Sequence, residues 1–221
     1  MNYQEFNLGK IKNGYSISII GNKGAGKTNL AKDILTHKLE PDPIGIVIGN
    51  TSGDNYESIG QYVFTHDEFK TEILDKVFRR QEKALSENWK NPYIFTVFDN
   101  CFYKTLNDDN KFKELFFNGR FYKILNIITL LPDQILDDSL RDQIDLAFIF
   151  YTNNKVEREK LYNDYSNIFS MQKSFDDTID LLKDDKFKCI VIQEDMRTNV
   201  LNKLIFLYKA KDYSTCTKSV K

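Results

Sequence analysis

A chain of 221 residues with 41% apolar and 29% charged side chains suits one soluble α/β domain with a core large enough to fold alone. Its net charge of −1 gives no global excess of positive charge, so any contact with DNA must come from a local basic patch. Cys101, Cys189 and Cys216 are odd in number and lack metal-ligand spacing, which argues against a disulfide framework or a zinc site and points to a reducing compartment.

Residues 1–14 are polar and are expected to be irregular or to form an edge segment. Met1 to Glu5 lack the basic-then-apolar order of a signal peptide, and no apolar run approaches the roughly 20 residues that span a bilayer. An intracellular chain with no membrane partner is the expectation. Residues 17–20 read as the first strand, and a helix follows from Lys27 to about His37. Residues 44–48 are apolar almost throughout, as in a strand covered on both faces. Thr65 and Glu68 have capping-box spacing, so a helix is expected behind them through Phe69, Ile73, Leu74, Val77 and Phe78. Residues 93–98 form the third strand, ending in Asp99-Asn100, and a short helix over 111–118 precedes Gly119-Arg120. Residues 124–130 are the fourth strand, a loop from Pro132 through Gln134 reaches Arg141, and residues 144–151 are the fifth. Asn154 and Glu157 cap a helix through Val156, Leu161 and Tyr165, and Ser174 precedes another through Phe175, Ile179 and Leu182. Residues 189–192 and 204–208 are the last strands; the short polar link between them favours an antiparallel pair. His37 and His66 read as helix-boundary residues, and Trp89 with most Tyr and Phe as core. Residues 1–208 thus read as a single domain, a mainly parallel sheet flanked by helices with antiparallel strands added at the C-terminal end. The polar, Lys-rich tail 209–221 is expected to be disordered.

The most specific chemistry lies between the first strand and the first helix, in Gly21-Asn22-Lys23-Gly24-Ala25-Gly26-Lys27-Thr28. The order strand, glycine loop, helix and the spacing G-x-x-x-x-G-K-[ST] are those of a phosphate-binding loop, so the fold class is that of a P-loop NTPase. Glycines let backbone N–H groups close on a phosphate. The helix behind, with Asn29 in its first turn, turns its positive end to the same charge. Lys27 would then reach the β- and γ-phosphates of ATP, and the Thr28 hydroxyl would ligate Mg²⁺. Ligands in parallel sheets sit beyond the carboxyl ends of the strands, so this loop, Asp99 and the segment after Leu130 should converge. Asp99 is placed to face the metal's water shell. ATP-hydrolysing motors commonly carry a second carboxylate at the next position, where this chain has Asn100. An amide can orient water but cannot accept its proton, and losing a general base costs about 10²–10⁴ in rate. Arg120 and Arg141 are candidates for stabilising transition-state charge; for each, a surface or structural salt bridge is the alternative.

With these residues assembled, the chain resembles the genome-packaging ATPases of nucleocytoplasmic large DNA viruses, the poxvirus-type branch of the FtsK/HerA superfamily. The matching pieces are Gly21 to Thr28, Ile94 to Asp99, Leu115-Phe116-Phe117-Asn118-Gly119-Arg120, Ser139-Leu140-Arg141-Asp142-Gln143-Ile144-Asp145, and Leu204 to Ala210. The resemblance implies a homo-oligomeric ring that hydrolyses ATP to drive double-stranded DNA into a preformed capsid. A capsid or portal-vertex component is then a further partner, and the host cytoplasm, viral factory or virion the place of action. It also implies Arg120 or Arg141 as the charge-stabilising arginine, in its own subunit or on a neighbour's nucleotide. Three positions depart from the family pattern. Asn100 replaces the second acid, and Phe121 stands where His usually follows Gly-Arg. The polar sensor closing the fourth strand falls on Leu131, with Gln134 able to serve only if the loop shifts. A nucleotide-binding switch or assembly subunit with degraded hydrolysis is the alternative reading. A small nucleoside or nucleotide kinase shares the opening motif, but the chain lacks an Arg-rich lid.

Overall fold

A computed structural model of the chain describes residues 3–38, 43–49, 56–134, 136–165, 168–193 and 201–213. The strands are β1 (Gln4–Glu5), β2 (Ser16–Ile20), β3 (Ile44–Ile48), β4 (Tyr62–His66), β5 (Ile94–Phe98), β6 (Ile124–Leu130), β7 (Leu146–Phe150), β8 (Lys188–Gln193) and β9 (Ile205–Lys209). The helices are α1 (Lys27–Lys38), α2 (Thr71–Ser86), α3 (Asn110–Asn118), α4 (Asp138–Arg141), α5 (Lys155–Asp164), α6 (Gln172–Asp180) and α7 (Leu201–Leu204). All nine strands join one sheet in the order β1-β9-β8-β7-β2-β6-β5-β3-β4. Pairing is parallel except at β8, which runs antiparallel to both β7 and β9. The expected C-terminal antiparallel pair is therefore present, and the polar N-terminal segment adds the short edge strand beside β9.

Every residue of β2, β5, β6 and β7 is buried, because helices cover both faces of the sheet. Alternation then sends neighbours to opposite layers. Ile20, Phe98, Ile128 and Ile149 pack with Leu74, Phe112, Leu140, Leu161 and Phe175 from α2 to α6. Ile17, Ile19, Val97, Ile127 and Phe148 pack with Leu30, Ile34 and Leu35 of α1. Burying each such aliphatic side chain contributes about 1.5–3 kcal/mol.

Several local expectations give way to this sheet. Thr65 is no helix cap: it lies in β4, opposite Val47 of β3. Helix α2 starts only at Thr71, and its cap position, Lys70, makes no side-chain cap bond. A cap is worth about 1 kcal/mol, less than five residues of strand pairing can return. Phe69 still reaches the apolar layer, from the loop between the two elements. His66 ends a strand rather than bounding a helix, whereas His37 lies in the last turn of α1. Trp89 is 38% exposed, with the Arg80 guanidinium 5.3 Å from its ring, and so is not core. Ser174 sits inside α6, and single helical turns, α4 and α7, occupy stretches expected as loop. Lys209 completes β9, and residues 210–213 run on beside α1. There the Tyr208 hydroxyl (2.5 Å), the Lys211 N–H (3.2 Å) and the Tyr213 hydroxyl (3.2 Å) donate to the buried Asp33 carboxylate. The remainder of the tail, 214–221 with Cys216, lies outside the described residues. Cys101 and Cys189 are free and buried. Among the described residues, no helix is long and apolar enough to cross a membrane.

Candidate functional site

Strand β2 ends at Ile20, and the Gly21 N–H donates to the Leu130 carbonyl at 3.1 Å, which fixes the start of the loop to the end of β6. Gly24 and Gly26 have φ of +80° and +107°, values that side chains resist, and the loop passes through them into α1. Lys27 opens that helix with 5% exposure. Its ammonium donates to the Gly21 carbonyl at 2.7 Å and the Asn22 carbonyl at 3.2 Å, so it spans the loop from within. Burial pushes the Lys27 pKa down, and the charge of Asp99 opposes that shift. Asn22 donates to Thr152 (3.4 Å) and Glu157 (3.2 Å), tying the loop to the start of α5, where Asn154 accepts from the Val156 N–H as expected. Lys23 is exposed, and Ala25 and Asn29 are half-buried.

Asp99 follows β5 and is fully buried. Its carboxylate accepts three hydroxyl hydrogen bonds: Thr28 (2.8 Å) and Tyr56 (3.0 Å) on Oδ2, and Thr129 (2.9 Å) on Oδ1. Its N–H donates to the Ile48 carbonyl at 2.8 Å, bringing β3 close. At that approach a Cβ on Gly49 would stand 1.9 Å from the Asp99 carbonyl oxygen, so only glycine fits. The structure thus gathers Lys27, Thr28 and Asp99 at the carboxyl end of the sheet.

The other candidates sit differently. Asn100 turns the chain with φ of +54°, a left-handed conformation that Asn tolerates well, and its N–H donates to Thr129 at 2.9 Å. The Gln134 side chain accepts from the Leu131 N–H (2.7 Å) and donates to the Phe102 carbonyl (3.0 Å), bracing the end of β6 against the chain after Asp99. Arg141 is turned to Asp138 (2.9 Å) and Asp164 (3.0 Å), beside a cavity of about 20 Å³ that Ser18 and Gln134 also line. Burial raises the Asp164 pKa while Arg141 opposes it. Arg120 lies at the amino end of the sheet, paired with Asp145 and 5.9 Å from the Tyr15 ring. Asp145 also accepts from the N–H of Ser16, the first residue of β2. Arg120 and the glycine loop are therefore at opposite ends of β2, roughly 16 Å apart along a strand of this length.

This architecture matches solved structures. B204, the genome packaging NTPase from Sulfolobus turreted icosahedral virus 2, in its complex with AMPPCP, aligns with a TM-score of 0.65 and 17% identity, covering 91% of this chain and all of B204. The fold is the one that B204 has. In sequence, the chain is similar to uncharacterized proteins of large DNA viruses. It is 28% identical over 201 residues to one of Frog virus 3, covering 89% of this chain and 62% of that protein. It is 31% identical over 158 residues to one of Invertebrate iridescent virus 6, covering 70% and 61%. The chain thus spans about three-fifths of the length of these two relatives. No protein-family model matches it.

Two members of this site escape a reading of the sequence. Thr129 leaves a faint signal, since it is one of two polar residues, with Asn126, in an otherwise apolar strand. Tyr56 leaves none, as it follows a run of turn residues and reaches Asp99 only through the fold. Its hydroxyl is held protonated, because burial first and the Asp99 charge second push its pKa well up. Among the described residues no group of three or more His, Cys, Asp or Glu is placed to bind a metal alone. The oxygen donors of Thr28 and Asp99 do suit Mg²⁺, which takes few protein ligands and completes its shell with phosphate and water.

Proposed function

We propose that this chain is an ATP-driven motor that packages viral double-stranded DNA into a preformed capsid. The observation that carries the reading is the Thr28–Asp99 contact beside Lys27, three groups with matching roles in triphosphate and Mg²⁺ binding. The B204 structures, which include complexes with AMP, AMPPCP and ATP-gammaS, support nucleotide binding. Lys27 exchanges its loop carbonyls for the β- and γ-phosphates, while residues 21–26, Thr28 and Asn29 surround them. Thr28 and Asp99 would hold Mg²⁺, which would supply positive charge to neutralise the phosphates. Arg120, 65% exposed at the far end of the sheet, acts on the nucleotide of a neighbouring subunit in a homo-oligomeric ring. Arg141 and Gln134 brace the site from behind. Double-stranded DNA and a capsid or portal-vertex component are the partners, in the viral factory or virion.

Asn100 favours a second reading, a nucleotide-binding switch that hydrolyses poorly, because no carboxylate follows Asp99. Phosphate release with and without double-stranded DNA separates the two. A motor shows DNA-stimulated turnover that Lys27→Ala abolishes. Binding without turnover selects the switch, and rapid turnover indifferent to DNA speaks against translocation.

A further inference from the structure

Phe187 sits in the turn before β8 with φ of +66°. Among the described residues, the other non-glycine residues with positive φ are Asn88, Asn100 and Lys123. Asn adopts this conformation readily, whereas a bulky apolar residue resists it. The turn aims the ring at the glycine loop: a Cβ on Gly26 would stand 2.4 Å from Phe187 Cδ1. The Ala210 N–H donates to the Phe187 carbonyl at 3.0 Å and holds the turn in place. The ring is half-buried, and the exposed Lys186 ammonium lies 4.6 Å from its centroid.

Strand order gives this placement a direction. Asp99 follows β5, on one side of β2, while Phe187 precedes β8, on the other. A triphosphate with its γ-end between Thr28 and Asp99 therefore sends its ribose and base across Gly26 towards Phe187. We infer that the Phe187 ring is the stacking platform for the nucleobase, and that it makes the site one for purine nucleoside triphosphates. The inference rests on the phosphate-site reading above. Stacking reads the π-face rather than the hydrogen-bonding edge, so ATP and GTP bind alike and the smaller pyrimidines bind more weakly. The flexible Lys186 side chain gives way to the incoming base.

Titrations of the full chain with ATP, GTP, CTP and inorganic tripolyphosphate, all with Mg²⁺, test this against Phe187→Gly and Phe187→Trp. Glycine relieves the left-handed backbone while removing the ring. Phe187→Gly should weaken ATP and GTP about tenfold, the order of one lost base–aromatic stack, and leave tripolyphosphate unchanged. Phe187→Trp should keep purine affinity, and ATP, but not tripolyphosphate, should quench its fluorescence. Equal losses for ATP and tripolyphosphate would make the ring a mere support for the loop and overturn the inference, as would an unchanged ATP affinity. Should Phe187→Gly not fold, a Trp signal that responds identically to both ligands overturns it. A wild-type chain that binds neither ATP nor tripolyphosphate removes the phosphate site itself, a separate failure.

Discussion

Thr28 Oγ1 donates to Asp99 Oδ2 at 2.8 Å, joining the first turn of α1 to the end of β5 across 71 residues of sequence. Asp99→Asn keeps the shape and removes the charge that a metal's water shell needs. Outer-shell groups of this kind are worth about 10–100-fold in metal affinity or activity. ATP titrated with and without Mg²⁺ should show that the metal strengthens wild-type binding and hardly affects Asp99→Asn; an equal Mg²⁺ effect in both would place the metal elsewhere.

Tyr56→Phe removes one of the three hydroxyls on Asp99 and leaves the ring in its buried slot. A hydrogen bond to a charged group contributes about 1.5–3 kcal/mol. Urea unfolding should report a loss of that order without Mg²⁺ or nucleotide. A variant as stable as wild type would mean that Thr28 and Thr129 satisfy Asp99 alone.

Gly49→Ala sets a methyl group 1.9 Å from the Asp99 carbonyl oxygen, where backbone on both sides leaves no room. The end of β3 must part from Asp99, at a cost beyond the ordinary range of about 0.5–3 kcal/mol for a point substitution. Denaturant midpoints check this, and soluble protein with an unchanged midpoint would contradict the close approach.

Asn100→Asp supplies the missing carboxylate while keeping a residue type that accepts a left-handed turn, and turnover should rise. Asn100→Glu supplies the same group but strains the turn by about 1 kcal/mol, so it should be less stable than Asn100→Asp. Single-turnover phosphate release compares the three chains. If neither acid accelerates it, water is positioned by another group.

Burial first, and the Asp99 charge second, push the Cys101 thiol up to about 12. Its folded value lies above the unfolded value of about 8.5, so its contribution to stability is complete below that pH and is lost as pH rises towards the folded value. Stability should therefore fall between pH 9 and 11 by more in wild type than in Cys101→Ala. At pH 8 a thiol reagent should reach Cys101 only after unfolding; fast labelling of the folded chain would show that the site opens.

What the sequence makes legible here is chemistry bound to local order. The glycine loop, its flanking strand and helix, and Asp99 at the end of an apolar run are consecutive signals, and the fold places them as their spacing implies. Pairing between distant segments is not written locally. Thr65 reads as a cap until β3 offers it a strand partner, and Tyr56 has no role until β3 and β5 meet at Gly49. Arg120 shows the same limit. Its neighbours in sequence mark it for the site, yet it stands at the amino end of β6, paired with Asp145 and away from the glycine loop.

The ammonium of Lys27, lodged against the Gly21 and Asn22 carbonyls, gives the loop an internal counter-charge. On the proposed reading, nucleotide entry would be a swap of partners for this ammonium. A motor built on this loop would then need no refolding of the loop between rounds, since the Gly21 and Asn22 carbonyls can take the ammonium back.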